Sequence, residues 1–575
     1  MRVATHGMRQ REAAARWHPR EVTADRPDRP ADLVLRGGRV ATMDAGRTFA
    51  DAVAVLDGRI VAVGPDATVG RWVGSRTRVI DLRGRTVTPG FGDAHVHPVA
   101  SGLDRLRCDL TGARGLDTYL STIAAYAVAN PDEPWIRGSG WRLADFPAGI
   151  PDRADLDRVV PHRSVYLESA DGHAAWVNSK ALDLAGVGGE TPDPPDGRIE
   201  RDADGWARGT LQETARDLVV RLFPPEDRES LEAALRLAQT ELHGLGVTNW
   251  QDANVRADEE EVAYAALAGR GELTARVVGA LGWDDARGGE QIDELVARRA
   301  QTTYPRYAPT SVKFFVDGVL EDFTGALLEP YLDAPGRPTT DRGRSLIDPG
   351  ALEAHVTRLD ALGFQAHVHA IGDRAVREAL DAIEAARRAN GRSDTRPHIA
   401  HIQLVHPDDV GRFRDLGVVA NAQAEWAALE GQLEHLTIPF LGPERAARIY
   451  PFGSLLRAGA TLAMGSDWSV STADPFIQME VAVNRVSHEH RGEKPAFLPN
   501  ERLELIDALA AFTVGSAWVN HLERDVGSIE VGKAADLVVL DRDLFDRGAG
   551  EIGETRVVAT FIDGIAVHEG PELGG

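Results

Sequence analysis

Pro89-Gly90-Phe91-Gly92-Asp93-Ala94-His95-Val96-His97-Pro98 is the stretch that decides how this chain folds. The β-branched pair Val87-Thr88 leads into it, and Gly90 and Gly92 let the backbone turn without a Cβ clash. In an extended strand, residues two apart share a face, so His95 and His97 present their imidazoles side by side. Neutral imidazoles ligate zinc and similar divalent ions, and a strand fixes their separation. Spacing alone decides nothing, because H-x-H occurs three times: His95/His97, His367/His369 and His488/His490. The third lies in Val-Ser-His-Glu-His-Arg-Gly-Glu-Lys, a polar stretch without strand character, and reads as a solvated loop.

Downstream, strand-like and helical stretches alternate, the pattern of a parallel sheet or barrel. With Phe91–His97 first, strands are expected at Gly246–Asp252, Thr274–Leu281, Ser311–Asp317, Phe364–His369, Arg396–Leu404, Gly417–Gln423 and Ala460–Asp467. Eight such strands fit an α/β fold of the TIM type, a (β/α)8 barrel. The helix after the fifth strand is the clearest, with Asp373 placed to cap it and Val376, Leu380 and Ile383 on one face. About 150 residues separate the first strand from the second, too many for a βα loop. An inserted subdomain is therefore expected at about 105–243. Insertions after a barrel strand emerge at the C-terminal rim, over the active site. Glu168–Trp176 is accordingly expected in the pocket wall, with Asp171 or His173 touching substrate and Trp176 packing beside it.

Both ends of the chain have β texture. Ala52-Val53-Ala54-Val55-Leu56 and Arg59-Ile60-Val61-Ala62-Val63 flank Asp57-Gly58, a tight-hairpin pair, and Asp563-Gly564 repeats the device near the C-terminus. One small β-sandwich built from residues 31–88 and 522–575 is expected, with the barrel over 89–521. Residues 1–30 carry Arg, Glu, Asp and Pro with almost no apolar periodicity and read as a disordered tail. No apolar run follows the early arginines, so this is not a standard secretory signal, and Met8 is an alternative start.

The bulk properties exclude several function classes. A net charge of −24 would repel nucleic acid and anionic membranes. Apolar runs such as Leu537-Val538-Val539-Leu540 are far short of a bilayer span. Cys108 is the only cysteine, which rules out an intrachain disulfide and a thiolate-rich metal site and suits a cytoplasmic protein. Any metal must be held by histidine and oxygen ligands. The expected partners are a small-molecule substrate and, at most, a second copy of the chain in a homodimer.

Active sites of such barrels lie at the C-terminal strand ends, so the polar residues found there are the test. The first strand ends in His95 and His97, and the fourth carries Lys313 inside an apolar run. The fifth ends in His367-Val368-His369, the sixth holds His398 and His401, and the eighth ends in Asp467. Each has a bland reading: Lys313 could snorkel, His398 could be a packed core histidine, and Asp467 could cap a following helix. Convergence at one rim outweighs those readings and points to a metal site.

At these residues the chain resembles the amidohydrolase superfamily, in Pro89–His97, His401, Asp467 and the closing Gly527–Leu540 stretch. Asp171–Leu182, Asp317-Gly318-Val319 and His369–Ala375 are similar to the branch that includes the N-substituted formamide deformylases. The resemblance implies that His95, His97, His369, His401 and Asp467 bind metal, with Lys313 a carboxylated bridging ligand. His367 leaves the fifth-strand choice open; His369 is preferred because it directly precedes Ala370-Ile371-Gly372-Asp373. The cofactor implied is zinc or another divalent ion, one or two per site. Such a site would hydrolyse a C–N bond of an amide, formamide or cyclic amide by metal-activated hydroxide, with Asp467 as the catalytic proton carrier. Ester hydrolysis in the same site and a metal-free scaffold on this fold are the alternatives.

Overall fold

Eight short apolar runs form one parallel sheet, in sequence order from edge to edge. The computed structural model describes residues 29–573 apart from Asp171, Asp196 and Arg547. The strands are β1 (Phe91–Val96), β2 (Val247–Val255), β3 (Arg276–Gly282), β4 (Tyr307–Phe315), β5 (Gln365–Ala370), β6 (His398–His401), β7 (Val419–Ala422) and β8 (Thr461–Met464). Their residues are almost all buried, as strands must be when helices cover the outside of a barrel and side chains fill the inside. The sheet is nearly closed. Between β8 and β1 the Asp467 N–H donates to His95 O at 2.7 Å, and the Ser466 N–H donates to Asp93 Oδ1 at 2.9 Å. Gly465 permits this approach, since a Cβ there would lie 2.5 Å from His95 N.

Register sets depth inside the barrel. Lys313 pairs with His367, and His367 with His398, in one layer. Phe315 pairs with His369, and Ala370 with His401, nearer the rim. The helix Asp373–Asn390 follows β5, and Val376, Leu380 and Ile383 are buried along it as the periodicity required. Asp373 does not cap it. Gly372 holds the cap position, and the Asp373 carboxylate instead accepts the Leu328 N–H at 2.9 Å, tying down the segment after β4.

The long β1–β2 connection contains a six-stranded mixed sheet running, edge to edge, Gly197–Arg201, Ala207–Glu213, Ala174–Val177, Ser164–Ser169, Trp135–Trp141 and Cys108–Asp109. It has a core of its own around Tyr119, Trp141, Phe146, Leu167 and Trp176. The helices Pro98–Leu106 and Arg228–Gly244, which enter and leave it, bury Val99, Leu103, Leu231 and Leu235 in the barrel's apolar core.

A third sheet combines the two ends of the chain. Strand Leu537–Leu540 pairs antiparallel with Thr86–Pro89, and Leu35, Val53, Ile80, Leu537 and Phe561 share one apolar cluster. Asp57-Gly58 and Asp563-Gly564 each turn a hairpin with both residues at positive φ, the backbone of a type I′ turn. Among the described residues no helix is long and apolar enough to cross a membrane. The sequence-based reading of residues 1–28 falls outside the described residues.

Candidate metal centre

The C-terminal ends of β1, β4, β5 and β6 and the turn after β8 converge as the fold demands. His95 Nε2 is 3.2 Å and His97 Nε2 3.1 Å from Asp467 Oδ1, and His401 Nδ1 is 3.9 Å from Oδ2. Nitrogen and oxygen atoms of His95, His401 and Asp467 all lie within 4.8 Å of one another, in a wholly buried triad. Lys313 Nζ is 3.5 Å from His95 Nε2, and the His369 and His401 rings are 4.4 Å apart. The strands thus bring together all six residues expected from sequence.

The duplicated histidine on β5 is separated by its neighbours. His367 Nε2 contacts His95 Nδ1 at 2.8 Å, so it stands behind that ring, on the side away from Asp467. His369, one layer higher, packs against His401, with its Nε2 3.2 Å from Gly318 O and 3.7 Å from Asp317 Oδ1. His398 is fully buried and hydrogen-bonded to Asn421, a core histidine rather than a rim group. The third H-x-H lies apart, in a short 3₁₀ turn where His488 faces Glu480 and His490 lies between Glu430 and Glu493.

Burial dominates the electrostatics. It pushes the Lys313 ammonium down to about 7, against the opposing pull of Asp467 and Asp252. Burial and the Lys313 charge push His95 and His369 down to about 3, so both are neutral imidazoles with a lone pair to give. Burial would raise the Asp467 carboxyl, but His95, with His97 and His401, outweighs it and holds the group well below the carboxylate range. The residues therefore fit a divalent ion. The donor set is neutral imidazole and carboxylate oxygen, and the buried His401 Nδ1 has no hydrogen-bond partner among the described residues. His401 and Asp467 also stand at φ +74° and +56°, left-handed backbone that costs a non-glycine residue energy and must be held by its neighbours.

A cleft of about 400 Å³ opens from His97 between the barrel rim and the insert, lined in part by Leu103, Asp104, Ser139, Glu168, Gly172 and Phe223. Part of the expected wall is therefore in place: Glu168 and Gly172 face the cleft. Trp176 is not there. Its indole is fully buried in the insert's own core, 5.3 Å from the Phe146 ring, and its Nε1 donates to Asp152 O. Alternation along the strand Ala174–Val177 sends that ring inward. Asp171 lies outside the described residues. His173 forms a second cluster with Glu213 and with Asp322 from the segment after β4, its Nδ1 2.9 Å from Glu213 Oε1. Burial and Glu213 push the Asp322 carboxyl up, while hydrogen bonds from His173 and Asp322 outweigh burial at Glu213 and hold it down.

Sequence reasoning missed Trp426, whose ring stacks 5.6 Å from His401, and the amides Asn421 and Gln423. The expected seventh strand Gly417–Gln423 contained both amides, but no spacing rule marks an amide as part of a metal centre.

Comparison with known proteins places these features among hydrolases. The pattern of the Amidohydrolase family matches residues 78–568. Protein LONG AFTER FAR-RED 3 of Arabidopsis thaliana is 31% identical over 93% of this chain and 91% of its own. The N-substituted formamide deformylase of Arthrobacter pascens is 29% identical over 94% of this chain and 98% of its own. An uncharacterized metal-dependent hydrolase from Pyrococcus furiosus superposes with a TM-score of 0.69 at 26% identity, over 89% of this chain and 99% of that one.

Proposed function

This chain belongs to the amidohydrolase family, and on that premise we propose that it is a metal-dependent hydrolase of a C–N bond in an amide, formamide or cyclic amide. The observation that carries the reading is the buried triad of His95, His401 and Asp467, with His97, His369 and Lys313 around it. These six residues would hold one or two divalent ions, zinc among the candidates. When bound, such an ion supplies Lewis acidity, polarising a carbonyl and lowering the pKa of water to about 7.

The chain's own groups do the rest. Asp467 is ionised at neutral pH, so its carboxylate can take the proton of an attacking water and deliver it to the leaving nitrogen. Lys313, with its pKa near 7, has a large neutral fraction at physiological pH. The neutral amine can add carbon dioxide, forming an N–C bond and releasing one proton to leave an anionic carbamate. That product would add an anionic oxygen to the groups able to hold the ion or ions. The cleft between the insert and the rim, leading from His97, would receive the substrate.

Resemblance over nearly full length to an N-substituted formamide deformylase makes N-substituted formamides the first substrates to try. The test is a hydrolysis screen of N-substituted formamides, N-acyl amino acids and cyclic amides, alongside metal analysis of the purified protein. Turnover of one class, lost on chelation and restored by zinc or manganese, is expected. Protein that carries no metal and gains no activity from either ion would sink the proposal.

A further inference from the structure

Behind the triad, four fully buried polar side chains form a line that crosses the barrel: Gln423, Asn421, His398 and His367. Gln423 follows β7 directly and Asn421 lies within it, on the one strand from β4 to β8 that brings no candidate ligand to the rim. Their directions are fixed by backbone groups. The His401 N–H can only donate, and it does so to Gln423 Oε1 at 2.7 Å. Gln423 Nε2 must then be the end that donates to Asn421 Oδ1, at 3.0 Å. Asn421 Nδ2 donates in turn to Ala94 O at 2.9 Å and to His398 Nδ1 at 3.1 Å.

A neutral His398 therefore carries its hydrogen on Nε2, which has no hydrogen-bond partner among the described residues; it meets the His367 ring only by packing, with the centroids 4.0 Å apart. His367 completes the line at His95 Nδ1, 2.8 Å distant. One end thus holds the backbone of His401, and the other holds the ring of His95. Both are members of the triad.

We propose that Gln423, Asn421, His398 and His367 are positioning residues that aim two ligand imidazoles, reserving His95 Nε2 for the metal and holding His401 at its left-handed backbone. The inference rests on the metal-site reading above. Groups of this kind fix the ring plane and tautomer of a ligating histidine. His367 suits the task because its Nδ1 has no partner among the described residues, so no backbone group dictates which of its nitrogens carries the hydrogen. It can accept from a His95 Nδ1–H when Nε2 ligates, and donate to a bare Nδ1 otherwise. Without it, His95 could turn either nitrogen towards Asp467.

Two substitutions of similar polarity separate aiming from space-filling. His367→Gln keeps a hydrogen-bonding group at the reach of Nε2, whereas His367→Asn keeps one only at the reach of Nδ1. The readout is zinc affinity of the full chain, by competition with a chromophoric chelator, with the melting temperature of the stripped protein as the fold control. His367→Asn should bind zinc roughly 10- to 100-fold more weakly than wild type, and His367→Gln should recover most of that loss. Asn421→Ala, which reaches His401 through Gln423 and meets His367 only through the packed His398 ring, should weaken zinc binding on its own. Equal affinities for the His367→Asn and His367→Gln variants, or wild-type affinity in Asn421→Ala, would overturn the positioning role. Wild-type protein that takes up no zinc or manganese would overturn the metal reading itself, a distinct outcome.

Discussion

His401 and Asp467 hold left-handed backbone at a cost of order 1–3 kcal/mol each, so something must hold them there. For Asp467 it is its own N–H on His95 O, and for His401 its N–H on Gln423. Asp467→Asn keeps that backbone bond and the side-chain shape while removing the charge. It should lose bound metal and at least about a hundredfold in activity, since ligand and proton acceptor go together; an Asn variant with normal metal content and turnover would remove Asp467 from the site. Lys313 has a pH signature. With its folded pKa near 7, below the ordinary lysine value, the amine is mostly charged at pH 6 and mostly neutral at pH 8.5. Metal-stripped protein in 13C-bicarbonate should therefore show a carbamate carbon signal that grows as pH rises through 7 and is absent in Lys313→Ala. A signal unchanged across that range would refute a buried, titrating Lys313. The candidate ligand residues were legible because each interrupts or ends an apolar run at the strand ends, where several such groups converge. Asn421 and Gln423 were not, because an amide's role depends on which backbone group faces it, and that follows from pairing β6, β7 and β1 in three dimensions.

At the scale of elements, the eight barrel strands were readable because a parallel strand covered on both sides must be apolar along its length, and each expected strand overlaps an observed one. The fate of Asp373 was less readable, since a carboxylate at a helix start can serve the helix or a passing loop. Here Leu328 wins it. The insert divides in the same way. Both faces of Ala174–Val177 are buried within the insert, so alternation could not send Trp176 to the cleft, and the ring packs in the cluster around Trp141 and Phe146. Two variants should then behave oppositely. Trp176→Ala should cost about 3–5 kcal/mol of stability through a cavity beside Trp141 and Phe146, with kcat/KM near normal in whatever stays folded. His173→Ala should keep the fold and the metal but lose much of its kcat/KM, because it stands with Glu213 and Asp322 where the insert meets the segment after β4. Thermal unfolding and steady-state kinetics separate the two, and a His173→Ala enzyme with unaltered kcat/KM would remove that residue from the substrate's path.

At the scale of the whole molecule, the terminal sheet is fastened to the end of the barrel opposite the metal centre. Arg276, the first residue of β3, bonds Asp536 with Nε at 3.1 Å and Asp563 with an Nη at 2.5 Å. Arg306 also bonds Asp563, and the Asp563 N–H donates to Asp536 Oδ1 at 2.9 Å. Asp536 is buried just before the strand Leu537–Leu540, and Asp563 opens the last hairpin turn, so one arginine ties both to the barrel. Removing it strands a buried carboxylate, and Arg276→Ala should cost about 3 kcal/mol. The pH dependence follows from the remaining charge. Burial raises the Asp536 carboxyl despite Arg276, and losing the arginine raises it further. A carboxyl whose folded pKa exceeds its unfolded value favours folding only when protonated, and that contribution is lost as pH rises through the folded pKa. The deficit of Arg276→Ala should therefore be largest at neutral and alkaline pH and shrink on acidification, as Asp536 takes up a proton and the wild type loses its ion pair. Denaturant unfolding at pH 5 and pH 8 reads the difference. Metal content and kcat/KM should not change, because the candidate ligands stand at the other ends of the strands. A deficit independent of pH would mean that Arg276 acts through packing of its stem, and lost metal would mean that the terminal sheet shapes the rim as well as the base.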